Sequence, residues 1–194
     1  IDIAEVRTEQ GKLYLFVAID RTSKFAFAQL HERATTRVAA DFLRALLKAV
    51  PYRIHTVLTD NGIHFTTPGN VASAAPLIRE AMDRGELFRA HAFEYACAQN
   101  HIEHRLTKPY HPWTNGQVER MNRTLKEATV RRFHYDSHDQ LQQHLGQFLD
   151  AYNFAKRLKT LKGLTPYEAI CKAWAAEPSR FTANPHHQMP GPNT

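Results

Sequence analysis

The chain has 194 residues, of which 43% are hydrophobic and 10% aromatic, enough for one globular domain with a tail. The net charge of +6 favours a polyanionic partner without establishing one. Two cysteines exclude a disulfide framework, and neither a long apolar run nor a secretory signal is present. We therefore expect a cytoplasmic protein with no membrane partner.

The N-terminal part predicts three strands joined by tight turns. Residues 13–19 form a near-continuous apolar run, which is typical of a strand buried on both faces. Residues 1–7 and 25–30 are further strand candidates, and the polar residues between them indicate turns. This pattern predicts a meander with residues 13–19 in its centre.

The middle of the chain alternates predicted helices and strands. The first helix has Thr35 or Thr36 as a possible cap and Pro51 as a stop. Its apolar residues recur at helical spacing: Val38, Phe42, Leu43, Leu46, Leu47 and Val50. The following segments predict a strand at 54–59, short helices at 75–84 and 93–99, and a strand at 101–106.

Two long helices are predicted in the last third. The first extends from Thr114 to about Phe133, and the second begins at Ser137, which forms a capping box with Gln140. Residues 178–194 are rich in proline and predict an extended or disordered tail. A meander followed by alternating helices and strands predicts an α/β fold with a mixed sheet.

Three acidic residues are candidates for a metal site. Asp2 lies in the first strand, Asp60 follows the fourth, and Glu119 lies in the first turns of a helix. Magnesium prefers oxygen ligands, and phosphoryl transfer gains when two such ions hold the attacking and leaving oxygens. Periodicity does not show that the three residues converge, and the position of Asp60 at a strand end, considered alone, favours a turn or cap role.

The residues around these acids form ordered motifs. They are Thr59-Asp60-Asn61-Gly62 with Phe65, Pro109-Tyr110-His111-Pro112, Asn115-Gly116-Gln117-Val118-Glu119-Arg120, Tyr152-Asn153, Arg157, Leu161, and Gly163-Leu164-Thr165-Pro166-Tyr167-Glu168. Together they resemble retroviral-integrase-like bacterial insertion-sequence transposases, which belong to the integrase catalytic core family. The resemblance covers residues 1 to about 169.

This resemblance implies a ribonuclease-H-like fold, with a mixed five-stranded sheet flanked by helices and a catalytic core at residues 1–177. It implies that Asp2, Asp60 and Glu119 are the catalytic residues and hold two Mg²⁺ ions, for which Mn²⁺ can substitute. The implied reactions are DNA end cleavage and strand transfer, by attack of water or a DNA 3′-hydroxyl on a phosphodiester.

The spacing departs from the family pattern. The second aspartate and the glutamate are usually about 35 residues apart, whereas here the interval is 119 − 60 = 59. We interpret residues 67–91 as an insertion of unknown role. Asp20 is the main alternative to Asp2, because it ends a predicted strand, but we prefer Asp2 because it lies in the first strand.

Several residues are candidates for DNA contact. Glu119, Arg123 and Lys126 share one helix face, which could bind phosphates or be an ordinary exposed surface; the resemblance favours phosphate binding. The candidate DNA-binding residues are Lys108, Asn115, Gln117, Arg123 and Lys126. The implied partners are element ends, target DNA and further copies of the chain, in a homodimer or larger assembly at a bacterial nucleoid.

Two alternatives remain open. The first is a ribonuclease-H-like nuclease that only hydrolyses, and the second is a degenerate, non-catalytic module that binds DNA or dimerises. The closing Thr165-Pro166 motif favours the transposase over the nuclease. The presence of all three acids argues against the degenerate module.

Overall fold

The first three strands form an antiparallel sheet with the second strand in its centre. The structure is a computed structural model that describes residues 1–107 and 115–188, without the side chains of residues 187 and 188. Strand β1 (Asp2–Thr8) pairs with β2 (Gly11–Ile19), and β2 pairs with β3 (Ala26–His31). The predicted meander, with its buried central strand, is confirmed.

Two further strands form a parallel pair. Strand β4 (Thr56–Thr59) pairs with β5 (Glu103–Leu106), so the described residues contain a three-stranded and a two-stranded sheet. The amino group of Ile1 donates a hydrogen bond to the Leu58 carbonyl oxygen at 2.7 Å, which joins β1 to β4. The expected five strands are present, but a single five-stranded sheet is not confirmed, because this contact is not a ladder of backbone hydrogen bonds.

Six α-helices cover the strands in the described part of the chain. They are α1 (Thr36–Ala49), α2 (Ala75–Asp83), α3 (Ala92–Gln99), α4 (Gly116–Ala128), α5 (His138–Asp150) and α6 (Pro166–Ala176). Thr35 and Ser137 cap α1 and α5, as predicted: each hydroxyl accepts a hydrogen bond from the backbone nitrogen three residues later. The predicted capping box of α5 is incomplete, because the Gln140 side chain accepts from the Asp136 backbone nitrogen and not from that of Ser137. None of the described helices is both long and apolar enough to cross a bilayer.

The central strand of the three-stranded sheet, β2, is buried on both faces. Phe16 and Ala18 of β2 belong to a hydrophobic cluster that also contains residues of α1, α3 and α6. The alternate residues Leu15 and Val17 belong to a second cluster, formed with α4 and α5. Since neighbouring residues of a strand point to opposite faces, an uninterrupted apolar run is what this two-sided packing requires.

Helix α4 is shorter than predicted. It ends at Ala128 rather than near Phe133, because the backbone of Thr129 leaves the helical conformation. The Thr129 hydroxyl donates to the Leu125 carbonyl oxygen at 2.7 Å and satisfies one of the last carbonyl groups of the helix. The apolar periodicity continues past this point, and for that reason the pattern overestimates the length.

Two segments are more closely packed than their sequences indicate. Helix α2 lies within residues 67–91, and its Ala75 and Ile78 are part of the first hydrophobic cluster. Near the other end of the chain, residues 178–180 and 185–188 form 3-10 turns rather than an extended chain. There the Phe181 and Tyr52 rings are 6.0 Å apart, and this contact supplies the apolar burial that a proline-rich composition does not indicate.

Candidate active site

Asp2 lies at the start of β1, where its carboxylate is held at both oxygens. Oδ1 accepts a hydrogen bond from the Ile3 backbone nitrogen at 2.9 Å. Oδ2 accepts one from the Asn122 amide nitrogen of α4 at 2.5 Å. The Asp2 carboxylate is therefore oriented by its own strand and by the helix that carries Glu119.

Asp60 directly follows β4, and its carboxylate folds back over the next turn. Its Oδ1 accepts a hydrogen bond from the Gly62 backbone nitrogen at 2.9 Å. A Cβ atom at position 62 would lie 2.9 Å from this oxygen, so a side chain there would collide with the carboxylate. Gly62 in the Thr59-Asp60-Asn61-Gly62 motif thus leaves room for the observed position of Asp60.

Asp2 and Asp60 are close enough to interact electrostatically. Burial raises the pKa of Asp2, hydrogen bonds from Asn122 and the Ile3 backbone oppose this, and the negative charge of Asp60 raises it further. A bound cation would stabilise both carboxylates by removing this repulsion. The two residues thus supply oxygen ligands of the kind that a hard divalent cation prefers.

Glu119 is exposed in the first turn of α4, and the structure does not bring it into a common ligand set with the aspartates. Within residues 1–107 and 115–188, no three acidic, histidine or cysteine side chains form a group that could hold a metal ion. The next turn of α4 nevertheless contacts Asp2 through Asn122. Asp2 and Asp60 therefore lie near each other, and the convergence of Glu119 with them remains a prediction.

Asp20 has a different structural role. Its carboxylate accepts hydrogen bonds from the backbone nitrogens of Thr22 and Ser23, at 3.0 and 3.1 Å, and from the Ser23 hydroxyl at 2.5 Å. These contacts close the turn between β2 and β3. An aspartate engaged in this way is a turn residue, as its position after a strand permits.

The predicted DNA-binding residues lie in different environments. Arg123 is exposed and Lys126 is half-buried, whereas Asn115 is only 8% exposed where it precedes α4. Gln117 accepts a hydrogen bond from the Lys24 amino group at 3.1 Å. Lys108 and the Pro109-Tyr110-His111-Pro112 motif lie outside the described residues.

Two residues of this site were missed in the sequence. Asn122 is 5% exposed and donates to Asp2, and within the described residues its Oδ1 has no hydrogen-bond partner. Asn122 lies three residues after Glu119 and is therefore its neighbour on the helix surface. This spacing could have identified Asn122 from the sequence. Lys24 lies in the turn between β2 and β3 and contacts Gln117, and no local pattern indicates that pairing.

Comparisons with known protein sequences identify related chains. The integrase core domain model matches residues 1–112, and a second model of the same description matches residues 100–166. An uncharacterized protein of Caenorhabditis elegans is 27% identical over 155 residues, which are 80% of this chain and 10% of that protein. The Gag-Pol polyprotein of avian reticuloendotheliosis virus is 29% identical over 132 residues, 68% of this chain and 10% of the polyprotein. The chain thus spans only a tenth of each relative.

Solved structures show the same fold. A chain from the simian T-cell lymphotropic virus intasome in complex with the PP2A regulatory subunit B56 gamma has a TM-score of 0.66 and 23% identity, over 87% of this chain and 51% of that one. The catalytic core domain of BIV integrase has a TM-score of 0.61 and 21% identity, over 91% of this chain and 95% of that one. The α/β fold is therefore similar to that of retroviral integrase cores.

Proposed function

The chain belongs to the integrase core domain family, and on that premise we propose that it is the catalytic core of a DNA transposase or integrase. The proposed reactions are metal-dependent cleavage of DNA ends and their transfer to target DNA. One observation carries the proposal: the hydrogen bond from the Ile1 amino group to the Leu58 carbonyl oxygen joins β1 to β4, so that Asp60 lies near enough to Asp2 for its charge to raise the Asp2 pKa. Carboxylates that repel each other in this way are suited to hold a cation.

We propose that Asp2, Asp60 and Glu119 hold two divalent cations, Mg²⁺ or its substitute Mn²⁺. Such ions stabilise the charge that develops on a phosphodiester during in-line displacement. Asn122 and the Gly62 backbone nitrogen orient the two aspartates through the hydrogen bonds described above. Glu119 joins them by a movement of α4 or of its own side chain, since it lies one turn before Asn122 on the same helix face.

The surface around Glu119 is suited to DNA. Arg123 lies four residues after Glu119, and Lys126 lies three residues after Arg123, so both basic side chains can contact phosphates beside the carboxylates. Lys24 holds Gln117 at the start of the same helix. In this proposal the DNA end is contacted by Lys108, Asn115 and Gln117. Its phosphates are contacted by Arg123 and Lys126. The catalytic core comprises residues 1–177, within which residues 67–91 are an insertion.

The partners follow from the proposed reaction. The substrates are the two ends of the mobile DNA element and the target DNA. Joining two ends requires at least two active sites, which favours a homodimer or larger assembly. An origin in a bacterial insertion sequence, and with it a location at the nucleoid, is proposed on the motifs alone.

A joining assay tests the activity without knowledge of the element ends. Short duplexes with randomised ends and free 3′-hydroxyls are incubated with target plasmid and Mn²⁺, and the junctions are amplified and sequenced. We expect junctions that require the 3′-hydroxyl and a divalent cation. Glu119→Gln should reduce them by at least about 100-fold, because the loss of metal-assisted charge stabilisation costs several kcal/mol.

Glu127→Gln is the matched control, since Glu127 is exposed on the same helix and forms an ion pair with the equally exposed Arg131. It should retain full joining. Metal-dependent cleavage without joining would favour the hydrolytic nuclease. DNA binding with neither reaction would favour the non-catalytic module, and full joining by Glu119→Gln would exclude the proposed role of that residue.

A further inference from the structure

A buried polar cluster lies beside Asp60 but outside the carboxylate site. It contains Glu94 of α3, His104 of β5 and Thr59 of β4, and these side chains are enclosed by the protein: Glu94 is 0% and His104 is 5% exposed. A charged side chain is rarely buried unless it is paired and fully hydrogen-bonded. The burial of Glu94 and His104 therefore indicates that these side chains have a structural or functional role.

Glu94 is held as a carboxylate by the segment that follows Asp60. Its Oε1 accepts a hydrogen bond from the Thr66 hydroxyl at 2.9 Å. Its Oε2 accepts one from the Ser73 hydroxyl at 2.5 Å and one from the Ala75 backbone nitrogen at 3.0 Å. Burial alone would raise the pKa of Glu94, but the neighbouring His104 ring and the hydrogen bond from the Ser73 hydroxyl outweigh it and lower the pKa to about 2.

His104 connects this carboxylate to the end of β4. Its Nδ1 lies 3.3 Å from Glu94 Oε2 without the direction of a hydrogen bond, and the two groups form an ion pair only when the imidazole carries a proton on both nitrogens. Its Nε2 lies 2.9 Å from the Thr59 hydroxyl oxygen. Because His104 pairs with Val57 in the parallel ladder, it shares a face of the sheet with Thr59, two residues further along β4.

The Thr59 hydroxyl determines the direction of the chain of hydrogen bonds. It donates to the Asp60 carbonyl oxygen at 2.8 Å. A hydroxyl has a single proton, so Thr59 must accept from His104, whose Nε2 is then the donor. The chain runs from His104 through Thr59 to the peptide group of Asp60.

We propose that Glu94, His104 and Thr59 form a positioning relay that fixes the Asp60 peptide and thereby the place of its carboxylate. These are positioning residues, because they act on Asp60 through its backbone and do not touch the reacting atoms. Ser73 and Ala75 complete the relay, and both lie within residues 67–91. Residues 67–91 thus help to position Asp60 through their hydrogen bonds to Glu94. The catalytic importance of the relay rests on the proposed function, whereas its effect on Asp60 does not.

Amide hydrogen exchange of Gly62 in the metal-free protein is the direct test, because this amide donates to the Asp60 carboxylate. Thr59→Val keeps the side-chain shape and removes the hydroxyl, and should accelerate Gly62 exchange about fivefold, as expected for the loss of one hydrogen bond. Thr59→Ser retains the hydroxyl and should restore slow exchange. Thr56→Val, the same change at the exposed start of β4, should leave Gly62 unaffected.

A second variant acts at the far end of the relay. Ser73→Ala removes one hydrogen bond to Glu94 and leaves the core side chains in place, so it remains informative if Thr59→Val does not fold. It should accelerate Gly62 exchange about twofold to threefold, since the effect is transmitted through two further contacts. Unchanged Gly62 exchange in the folded Thr59 and Ser73 variants, or a failure of Thr59→Ser to restore it, would overturn the relay.

Mn²⁺ titration separates the relay from the proposed function. Thr59→Val should weaken Mn²⁺ binding about fivefold, whereas a purely structural role would lower thermal stability and leave the affinity unchanged. Absence of Mn²⁺ binding by the unmodified chain would contradict the metal-dependent function. The Gly62 exchange rates would still decide whether the relay exists.

Discussion

At the scale of single residues, the position of the Asp60 carboxylate depends on the absence of a side chain at Gly62. The two positions are two residues apart, and the Gly62 nitrogen donates to Asp60 Oδ1. The backbone of Gly62 is not left-handed, so the glycine is required for space and not for conformation. A methyl group at position 62 would therefore displace the Asp60 carboxylate and leave the fold unchanged.

We predict that Gly62→Ala displaces the Asp60 carboxylate and reduces joining and Mn²⁺ affinity by about 10-fold or more, because misplacement of a catalytic group is costly. The free energy of unfolding should change by less than about 1 kcal/mol. The control is Gly146→Ala, since a Cβ there meets no atom within 4 Å and alanine favours a helix interior. Normal Mn²⁺ affinity in Gly62→Ala would contradict this account.

At the scale of elements, a side chain completes the hydrogen bonding at the start of β3. Asn153 is buried in the π-helical turn Ala151–Ala155 that follows α5. Its Oδ1 accepts from the Ala26 backbone nitrogen at 2.9 Å, and its amide nitrogen donates to the Ala26 carbonyl oxygen at 2.8 Å. The Asn153 amide therefore takes the place of a neighbouring strand and attaches the helical turn to the sheet.

We predict that Asn153→Asp lowers the free energy of unfolding by about 2–4 kcal/mol at neutral pH. The substitution keeps the shape but replaces the donor with a charged acceptor, which would face the Ala26 carbonyl oxygen without a partner. Urea denaturation measures the loss. Gln143→Glu makes the same chemical change on the exposed surface of α5 and should alter stability by less than about 0.5 kcal/mol. Equal losses in the two variants would contradict the bridging role.

At the scale of the whole molecule, the buried Glu94 makes stability depend on pH. Its pKa is lowered to about 2 in the folded protein, from an ordinary value of 4.5. The folded state therefore holds this proton less tightly than the unfolded chain. The resulting stabilisation is present above about pH 4.5 and is lost as the pH falls from there to about 2.

We predict that the stability difference between the unmodified chain and Glu94→Gln is about 3 kcal/mol at pH 7 and shrinks steadily below pH 4.5. Urea denaturation at several pH values measures this difference. Glu103→Gln is the control, because Glu103 is exposed on the strand that carries His104 and should affect stability little at any pH. A difference that stays constant down to pH 3 would show that Glu94 does not titrate as described.

Features of the fold that depend on residues close in the chain could be predicted from the amino-acid sequence. The apolar run of β2 predicted a central strand, because a strand covered on both faces needs apolar residues at successive positions. Thr35 and Ser137 marked the starts of α1 and α5, because a capping hydroxyl binds a backbone nitrogen three residues away. The Thr59-Asp60-Asn61-Gly62 motif and the place of Asp2 in the first strand pointed to two carboxylates that lie near each other in the fold, and their catalytic role stays a prediction.

Contacts between distant parts of the chain could not be predicted from the sequence and became known from the folded structure. Asn122 reaches Asp2 across 120 residues, His104 reaches Thr59 across 45, and helix α2 packs into the core despite its place in an apparent insertion. Periodicity and capping describe one element at a time, whereas these contacts depend on how several elements pack together. The convergence of Glu119 on the two aspartates is of this second kind, and it therefore remains a prediction.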